Sequence, residues 1–207
     1  MRGRFITLEG GEGVGKSTQL KALASAIRER GHIVVCTREP GGSAGAEAIR
    51  NLVLSGGVDR WSPRAEALLF AAARADHVER LIHPALERGD WVVCDRFIDS
   101  TRAYQGGAGG LDDRDIMALH RVGSGGLMPD RTLLLTLSLE TASARAKLRD
   151  GNHGDRIGIK NTEYHQSVVK AFAHFASSEP QRIRSVSADG LAQDVTDRLI
   201  DQLDDLL

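Results

Sequence analysis

The run Phe5-Ile6-Thr7-Leu8-Glu9-Gly10-Gly11-Glu12-Gly13-Val14-Gly15-Lys16-Ser17-Thr18 constrains the fold more than any other stretch of the chain. A short apolar run with strand character leads into a glycine-rich turn. The turn leads into a helical pattern with Gln19, Leu20, Leu23, Ala24 and Ile27. Gly10 to Ser17 fits the spacing G-x-x-x-x-G-K-[ST]. Glycines let successive backbone N–H groups converge on an anion without a Cβ in the way. The helix that follows aims its positive end at the same anion. Lys16 is placed to reach the outer phosphates, and Ser17 to offer its hydroxyl to Mg²⁺. A nucleoside triphosphate site is therefore expected around Gly10, Gly11, Glu12, Gly13, Val14, Gly15, Lys16, Ser17 and Thr18.

The rest of the chain fits one α/β domain spanning residues 1–207. The unbroken apolar run at 33–37 reads as a strand buried on both faces, as in a parallel sheet, and further strands are expected at 91–94, 132–137 and 183–186. Helical patterns separate them. Ser62-Pro63 is an N-cap followed by a proline at the first helical position, opening a long helix to about Glu87. Shorter helices are expected over 45–54, 100–105, 112–122, 140–148 and 161–178, and a final amphipathic one over 190–207. No repeat and no linker long enough to divide two domains is present. The stretch from Arg149 to Arg156 is polar and glycine-containing, and reads as a mobile loop.

Charge excludes some partners. The net charge of −1 gives no basic excess for a nucleic-acid polymer. Aromatic residues are 4%, too few for a stacking platform on single strands. Cys36 and Cys94 both lie in apolar runs and are expected to be buried free thiols in a reducing compartment. The apolar run after Arg2 and Arg4 stops at Glu9, too short for a signal peptide, and no run could span a membrane. The cytoplasm is the default expectation.

Parallel sheets gather ligands at the carboxyl ends of their strands. Here those ends carry the phosphate loop, Arg38-Glu39-Pro40-Gly41 and Asp95-Arg96-Phe97, which should meet. Asp95 suits Mg²⁺, directly or through water; the alternative is a structural pair with Arg96. Arg96 suits a second phosphate, gripped in a bidentate contact. Arg74 lies four residues after Phe70, on the same helix face, and a ring beside a guanidinium suits a flat base. Phe70 as an ordinary core residue is the alternative.

These motifs together resemble the bacterial thymidylate kinases. The resemblance rests on Leu8 through Thr18, Thr37-Arg-Glu-Pro-Gly-Gly42, Leu69-Phe70-Ala-Ala-Ala-Arg74, Asp95-Arg96-Phe97 and Ser100-Thr101-Arg-Ala-Tyr104-Gln105-Gly106-Gly107, and it covers nearly the whole chain. It implies a P-loop NTPase fold with a five-stranded parallel sheet flanked by helices, a homodimer, and a lid over ATP at about 149–160. It implies transfer of the γ-phosphoryl group of ATP to dTMP, with Mg²⁺. Phe70 would stack on thymine, with Arg74, Ser100 and Thr101 hydrogen-bonding its edge. Arg96 would hold the dTMP phosphate, and Tyr104 would lie against the deoxyribose. Gln105 belongs to the same acceptor segment. Glu12 matches a loop carboxylate that helps place the acceptor, and Arg38 and Glu39 match positions lining that side.

In the bacterial type the phosphate loop lacks an arginine and the lid supplies one. Arg149 and Arg156 are the candidates here. Arg156 ranks first, because Asp155 could orient its guanidinium; Arg149, at a helix end, could equally complement the helix dipole. The lid departs from the family pattern at Gly158, where an acidic residue is expected. Three rival readings are a kinase of another (deoxy)nucleoside monophosphate, a nucleotide-dependent switch and an ATP-binding subunit without turnover. A guanine-specific switch would usually carry Asn-Lys-x-Asp, which does not occur in the chain.

Overall fold

A computed structural model describes residues 2–150 and 155–207, with only the backbone at 149 and 150. Five parallel strands form one sheet: β1 (Phe5–Glu9), β2 (Val34–Arg38), β3 (Trp91–Asp95), β4 (Arg131–Thr136) and β5 (Ile183–Ser187). Their spatial order is β2-β3-β1-β4-β5. Every pairing is parallel, as the alternation of strands and helices predicts.

Strand alternation divides β1 between two layers. Ile6 and Leu8 face the layer built by α1 (Lys16–Arg28) and α9 (Ala192–Asp201), packing with Leu23, Ile27, Val195 and Leu199. Leu23 is wholly buried, so Leu23→Ala would cost about 2–5 kcal/mol. Phe5 faces the other layer, with Val78, Ile82, Phe97 and Ile116. Thr7 and Glu9 share that face by the same period of two. Both are fully buried, so both need partners.

The second layer is formed by α2 (Ala44–Leu54), α3 (Pro63–His77), α4 (His83–Glu87), α5 (Ile98–Thr101) and α6 (Asp113–Ser124). Ser62 caps α3 by accepting from the Ala65 N–H, as the Ser-Pro pair predicts. The expected long helix to Glu87 is continuous in course but passes through a wider π turn at Val78–Ile82 before α4. A second π segment, Arg102–Ala108, follows α5 and extends the short helix expected at 100–105. Beyond α7 (Leu139–Asp150) lies α8 (Thr162–Ser178), whose N-cap is Asn161. The final helix is shorter than the expected 190–207.

Two expectations are corrected. Cys36 is exposed, because β2 is an edge strand and one side of its run meets solvent; Cys94, on the interior strand β3, is buried. The loop expected to be mobile runs from 149 to 156, and at its end Arg156 is buried, with Ile157 buried beside it. Residues 151–154 and the Arg149 side chain, the remainder of the expected loop, lie outside the described residues.

Candidate active site

The sheet register brings the predicted strand ends together. Leu8 pairs with Asp95, and Asp95 with Arg38. The phosphate loop, Arg38-Glu39 and Asp95-Arg96 therefore leave the sheet side by side. A cleft of about 840 Å³ opens above them. That is toward the upper end for small-molecule sites.

The loop has the geometry of an anion cradle. Gly13 (φ 74°) comes so close to α7 that a Cβ would lie 2.0 Å from the Ala142 carbonyl oxygen. No side chain fits there in any conformation. Gly15 (φ 95°) caps α1 without a side-chain hydrogen bond. The first N–H groups of α1 are thus left for a ligand. Lys16 Nζ donates to the Gly10 carbonyl at 3.1 Å and the Gly11 carbonyl at 2.7 Å, which aims it along the loop. Burial, with Arg96 nearby, pushes its ammonium down to about 8. Ser17 Oγ donates to Asp95 Oδ2 at 2.8 Å.

This pair answers the alternative for Asp95. Arg96 makes its ion pair with Glu12, at 2.5 Å, and Asp95 is engaged by Ser17. A hydroxyl and a carboxylate oxygen beside a phosphate cradle fit Mg²⁺, which takes one or two protein oxygens and completes its shell with water and phosphate. Among the described residues no group of three or more His, Cys, Asp or Glu could hold a metal ion.

The acceptor side is more tightly built than the sequence indicates. Arg96 adopts φ 70°, a left-handed backbone that costs a non-glycine residue about 1–3 kcal/mol. That turn throws its guanidinium back over the phosphate loop. Nη1 donates to the Gly10 carbonyl and to Ser100 Oγ, both at 3.1 Å, and Nη2 to Glu12. Although burial opposes its charge, Glu12 and Tyr104 hold Arg96 above the ordinary arginine range. Tyr104 donates its hydroxyl to Glu12 at 3.1 Å, and the Arg96 guanidinium lies over its ring at 5.0 Å. Burial pushes the Tyr104 phenol up.

Phe70 and Arg74 both line the cleft, as their spacing predicts. Phe70 also packs on the cluster holding Tyr104 and Phe172, so the core alternative is half true. Arg74 is nearly fully buried. Its Nε donates to Glu39 Oε2 at 2.8 Å, and its Nη2 to Thr101 Oγ1 at 2.7 Å and the Phe97 carbonyl at 3.3 Å. Glu39 holds His77 Nδ1 with its other oxygen, at 3.0 Å, and His77 Nε2 meets Thr37 Oγ1 at 2.7 Å. Arg38 reaches the cleft but is paired with Glu47.

Ser100 is already engaged on the acceptor side. Its hydroxyl proton goes to Glu9 Oε2 at 2.6 Å. One lone pair takes Arg96, so Ser100 can only accept, not donate, toward a base. Gln105 lines the cleft but gives its amide N–H to Glu66 at 2.8 Å.

Arg156 is corrected outright. It does not line the cleft. Its Nε and Nη1 donate to the carbonyls of Val53 and Val58 at 3.0 Å each, and its Nη2 pairs with buried Glu66. Asp155 does not orient it; the Asp155 carboxylate caps the Ile157 and Gly158 N–H groups instead. The Arg149 side chain lies outside the described residues. Two lining arginines went unmarked in the sequence, Arg50 on α2 and Arg145 on α7, the helix against which Gly13 packs. Ala188, Gly190 and Ala192 also line the cleft and were equally unmarked.

Comparisons with known proteins bear on the whole chain. A family model described as thymidylate kinase matches residues 8–199. The chain is 60% identical over 207 residues to a thymidylate kinase of Rhizorhabdus wittichii, covering 100% of both. It is 49% identical over 196 residues to a thymidylate kinase of Bradyrhizobium sp., covering 94% of this chain and 87% of that one. A crystal structure of thymidylate kinase from Ehrlichia chaffeensis superposes with a TM-score of 0.78 at 30% identity, over 98% of this chain and 100% of that one.

Proposed function

The chain belongs to the thymidylate kinase family, and on that premise we infer how its residues transfer the γ-phosphoryl group of ATP to dTMP, releasing dTDP and ADP. One observation carries the reading. A single cleft joins the phosphate loop to the Phe70, Arg74, Arg96 and Tyr104 cluster, so donor and acceptor can lie end to end.

The triphosphate would lie in the cradle from Gly10 to Thr18, with Lys16 against its outer oxygens. Arg145, Ala188, Gly190 and Val195 line the far side of the loop, where the purine would fit. Ser17 and Asp95 would hold Mg²⁺, which neutralises charge on the phosphates when bound. Phe70 offers its face to thymine, and the Arg74–Thr101 pair borders the base edge. Tyr104 closes the sugar end. Arg96 would grip the dTMP phosphate, with Glu12 fixing its guanidinium beforehand. Such positioning supplies most of what phosphoryl transfer needs. A dTMP phosphate oxygen would bond to the γ-phosphorus as the bond to the β–γ bridging oxygen breaks, and ADP carries that electron pair away. No general base is required, because the acceptor phosphate is mostly dianionic at neutral pH. Arg145 and Arg149 are the remaining candidates for a lid cation; Arg156 serves as an anchor.

Family resemblance also supports a homodimer, and exposed Leu68 on α3 and Val122 on α6 are available for contact. No helix among the described residues is long and apolar enough to cross a membrane. A cytoplasmic location is the reading that agrees with exposed Cys36 remaining a free thiol.

The test is ADP release with dTMP, dUMP, UMP, dCMP and thymidine in parallel. At equal subsaturating concentration dTMP should turn over fastest. Faster turnover of dCMP would sink the assignment.

Lys16 adds a pH dependence. With its pKa at about 8 in the free protein, the charged form prevails at neutral pH. Bound phosphates raise that pKa, so ATP binding takes up a proton above pH 8, and ATP affinity should fall about tenfold per unit from there. Titration calorimetry at pH 9 in two buffers of different ionisation enthalpy should show the uptake. Equal heats in both buffers would exclude it.

A further inference from the structure

The reaction as derived leaves one buried acid in the site without a task. Glu9 ends β1, directly before the phosphate loop, and is completely buried. Its Oε1 accepts from the Phe97 N–H at 2.7 Å and the Ser100 N–H at 3.2 Å. Its Oε2 accepts the Ser100 hydroxyl proton at 2.6 Å. All three donors belong to the turn that carries the left-handed Arg96 into α5. Because Ser100 Oγ gives its proton to Glu9, its lone pair is turned toward Arg96 Nη1. The hydrogen bonds run in the order Glu9, Ser100, Arg96.

We propose that Glu9 is a positioning residue for the acceptor: its ionised carboxylate fixes Ser100, and through Ser100 the Arg96 guanidinium, so that dTMP senses its charge through a hydrogen-bonded chain and ATP only weakly, through the field at Lys16. The proposal rests on the reading of Arg96 as the dTMP phosphate ligand. Lys16 is held by the Gly10 and Gly11 carbonyls, which the Glu9 carboxylate does not touch. Among the described residues, Arg96 and Lys16 have the Gly10 oxygen as a common hydrogen-bond acceptor.

The surroundings set where this charge changes. Burial and the neighbouring Asp99 of α5 push the Glu9 carboxyl up to about 7, against the Ser100 hydroxyl, Arg96 and the Phe97 N–H, which favour the ion. Asp99 itself is held ionised by Arg182 and Arg102. Lys16 of α1 and the Cys94 thiol of β3 are the other titratable groups that feel Glu9. As pH falls through this value Glu9 takes a proton and Ser100 loses its acceptor. Arg96 then loses a fixed lone pair, and dTMP binding weakens toward acid.

Glu9→Gln tests this while keeping shape. An amide can accept from the two N–H groups but donates where Oε2 accepted, so the Ser100 proton loses its partner. The KM for dTMP should rise about tenfold, the worth of one hydrogen bond to a charged group, with the KM for ATP rising far less. The dTMP phosphate titrates near 6 in both proteins. The difference between their pH profiles of kcat/KM for dTMP therefore isolates Glu9, and the limb near 7 should be present only in the parent. Nitrogen-15 NMR of the unliganded parent supplies a readout that survives a misfolded variant. The Phe97 and Ser100 amides and Arg96 Nε should titrate with one midpoint near 7. An Arg96 signal that stays still while the two amides move overturns the proposal, as do equal pH profiles or equal rises in both KM values. A parent that binds dTMP without using Arg96, shown by unchanged dTMP affinity in Arg96→Ala, overturns the underlying assignment instead.

Discussion

Lys16→Met should give a folded protein whose turnover is at least about a thousandfold lower. The expectation follows from charge that grows on the transferring group in the transition state. A fixed partner for such charge is commonly worth 10²–10³ or more in rate. Lys16 is the cation the loop itself supplies, and its two carbonyl contacts hold it on the phosphate path. The same geometry gives the variant a second property. Burying the ammonium lowers its pKa from 10.5 to about 8, so the charged side chain costs the free protein stability, on the order of 3 kcal/mol. Between about pH 8 and 10.5 the unfolded chain binds more protons than the folded one, and stability rises with pH in that window. Lys16→Met removes the penalty. It should melt no lower than the parent at pH 7, and the gap should close as pH approaches 10.5. Calorimetric melting at several pH values, beside single-turnover rates, checks both. Retained turnover would remove Lys16 from the mechanism. A lower melting temperature throughout would mean that its carbonyl contacts outweigh its buried charge.

The parts of the site that could be read from the chain are those made by local geometry. Gly13, Gly15 and Lys16 act through the backbone of one turn, so their spacing declares them. Asp95 and Arg38 follow from the rule that parallel strands end together, and the register bears this out. What could not be read depends on partners far off in sequence. The spacing of Ser100 says nothing of its partner Glu9, 91 residues away. Arg74 shares a face with Phe70, but its partner Glu39 lies 35 residues upstream. Cys36 sits in an apolar run like Cys94, and only the strand order, with β2 at the edge, separates exposed from buried. Periodicity cannot distinguish a π turn from an α turn over five residues, so the widened segments at 78–82 and 102–108 left no trace. The second of these carries Tyr104 and Gln105.

Arg156 is the sharpest case, and its replacement should be felt in stability before catalysis. Arg156→Met leaves Glu66 buried with its main cation gone. Glu66 is 3% exposed, and among the described residues Gln105 and, at 3.7 Å, Lys160 remain as its polar partners. Removing one partner of a buried ion pair costs about 3–5 kcal/mol. For a chain of 207 residues that is a fall in melting temperature of about 10 °C. The carbonyls of Val53 and Val58 also lose their donor, which adds to the loss. Glu66→Gln in the same protein should recover part of it, because the uncompensated charge is then gone while the hydrogen bond to Gln105 can persist. Turnover of the folded fraction at low temperature should stay within about tenfold of the parent, since the guanidinium does not line the cleft. A lid arginine behaves oppositely: it contributes about 10³–10⁵ in rate and little to melting. If Arg156→Met melts like the parent but turns over a thousandfold more slowly, Arg156 leaves Glu66 during the reaction and the anchoring role fails. If melting falls and turnover holds, the missing cation is to be sought at Arg145, which already lines the cleft beside Gly13, and at Arg149.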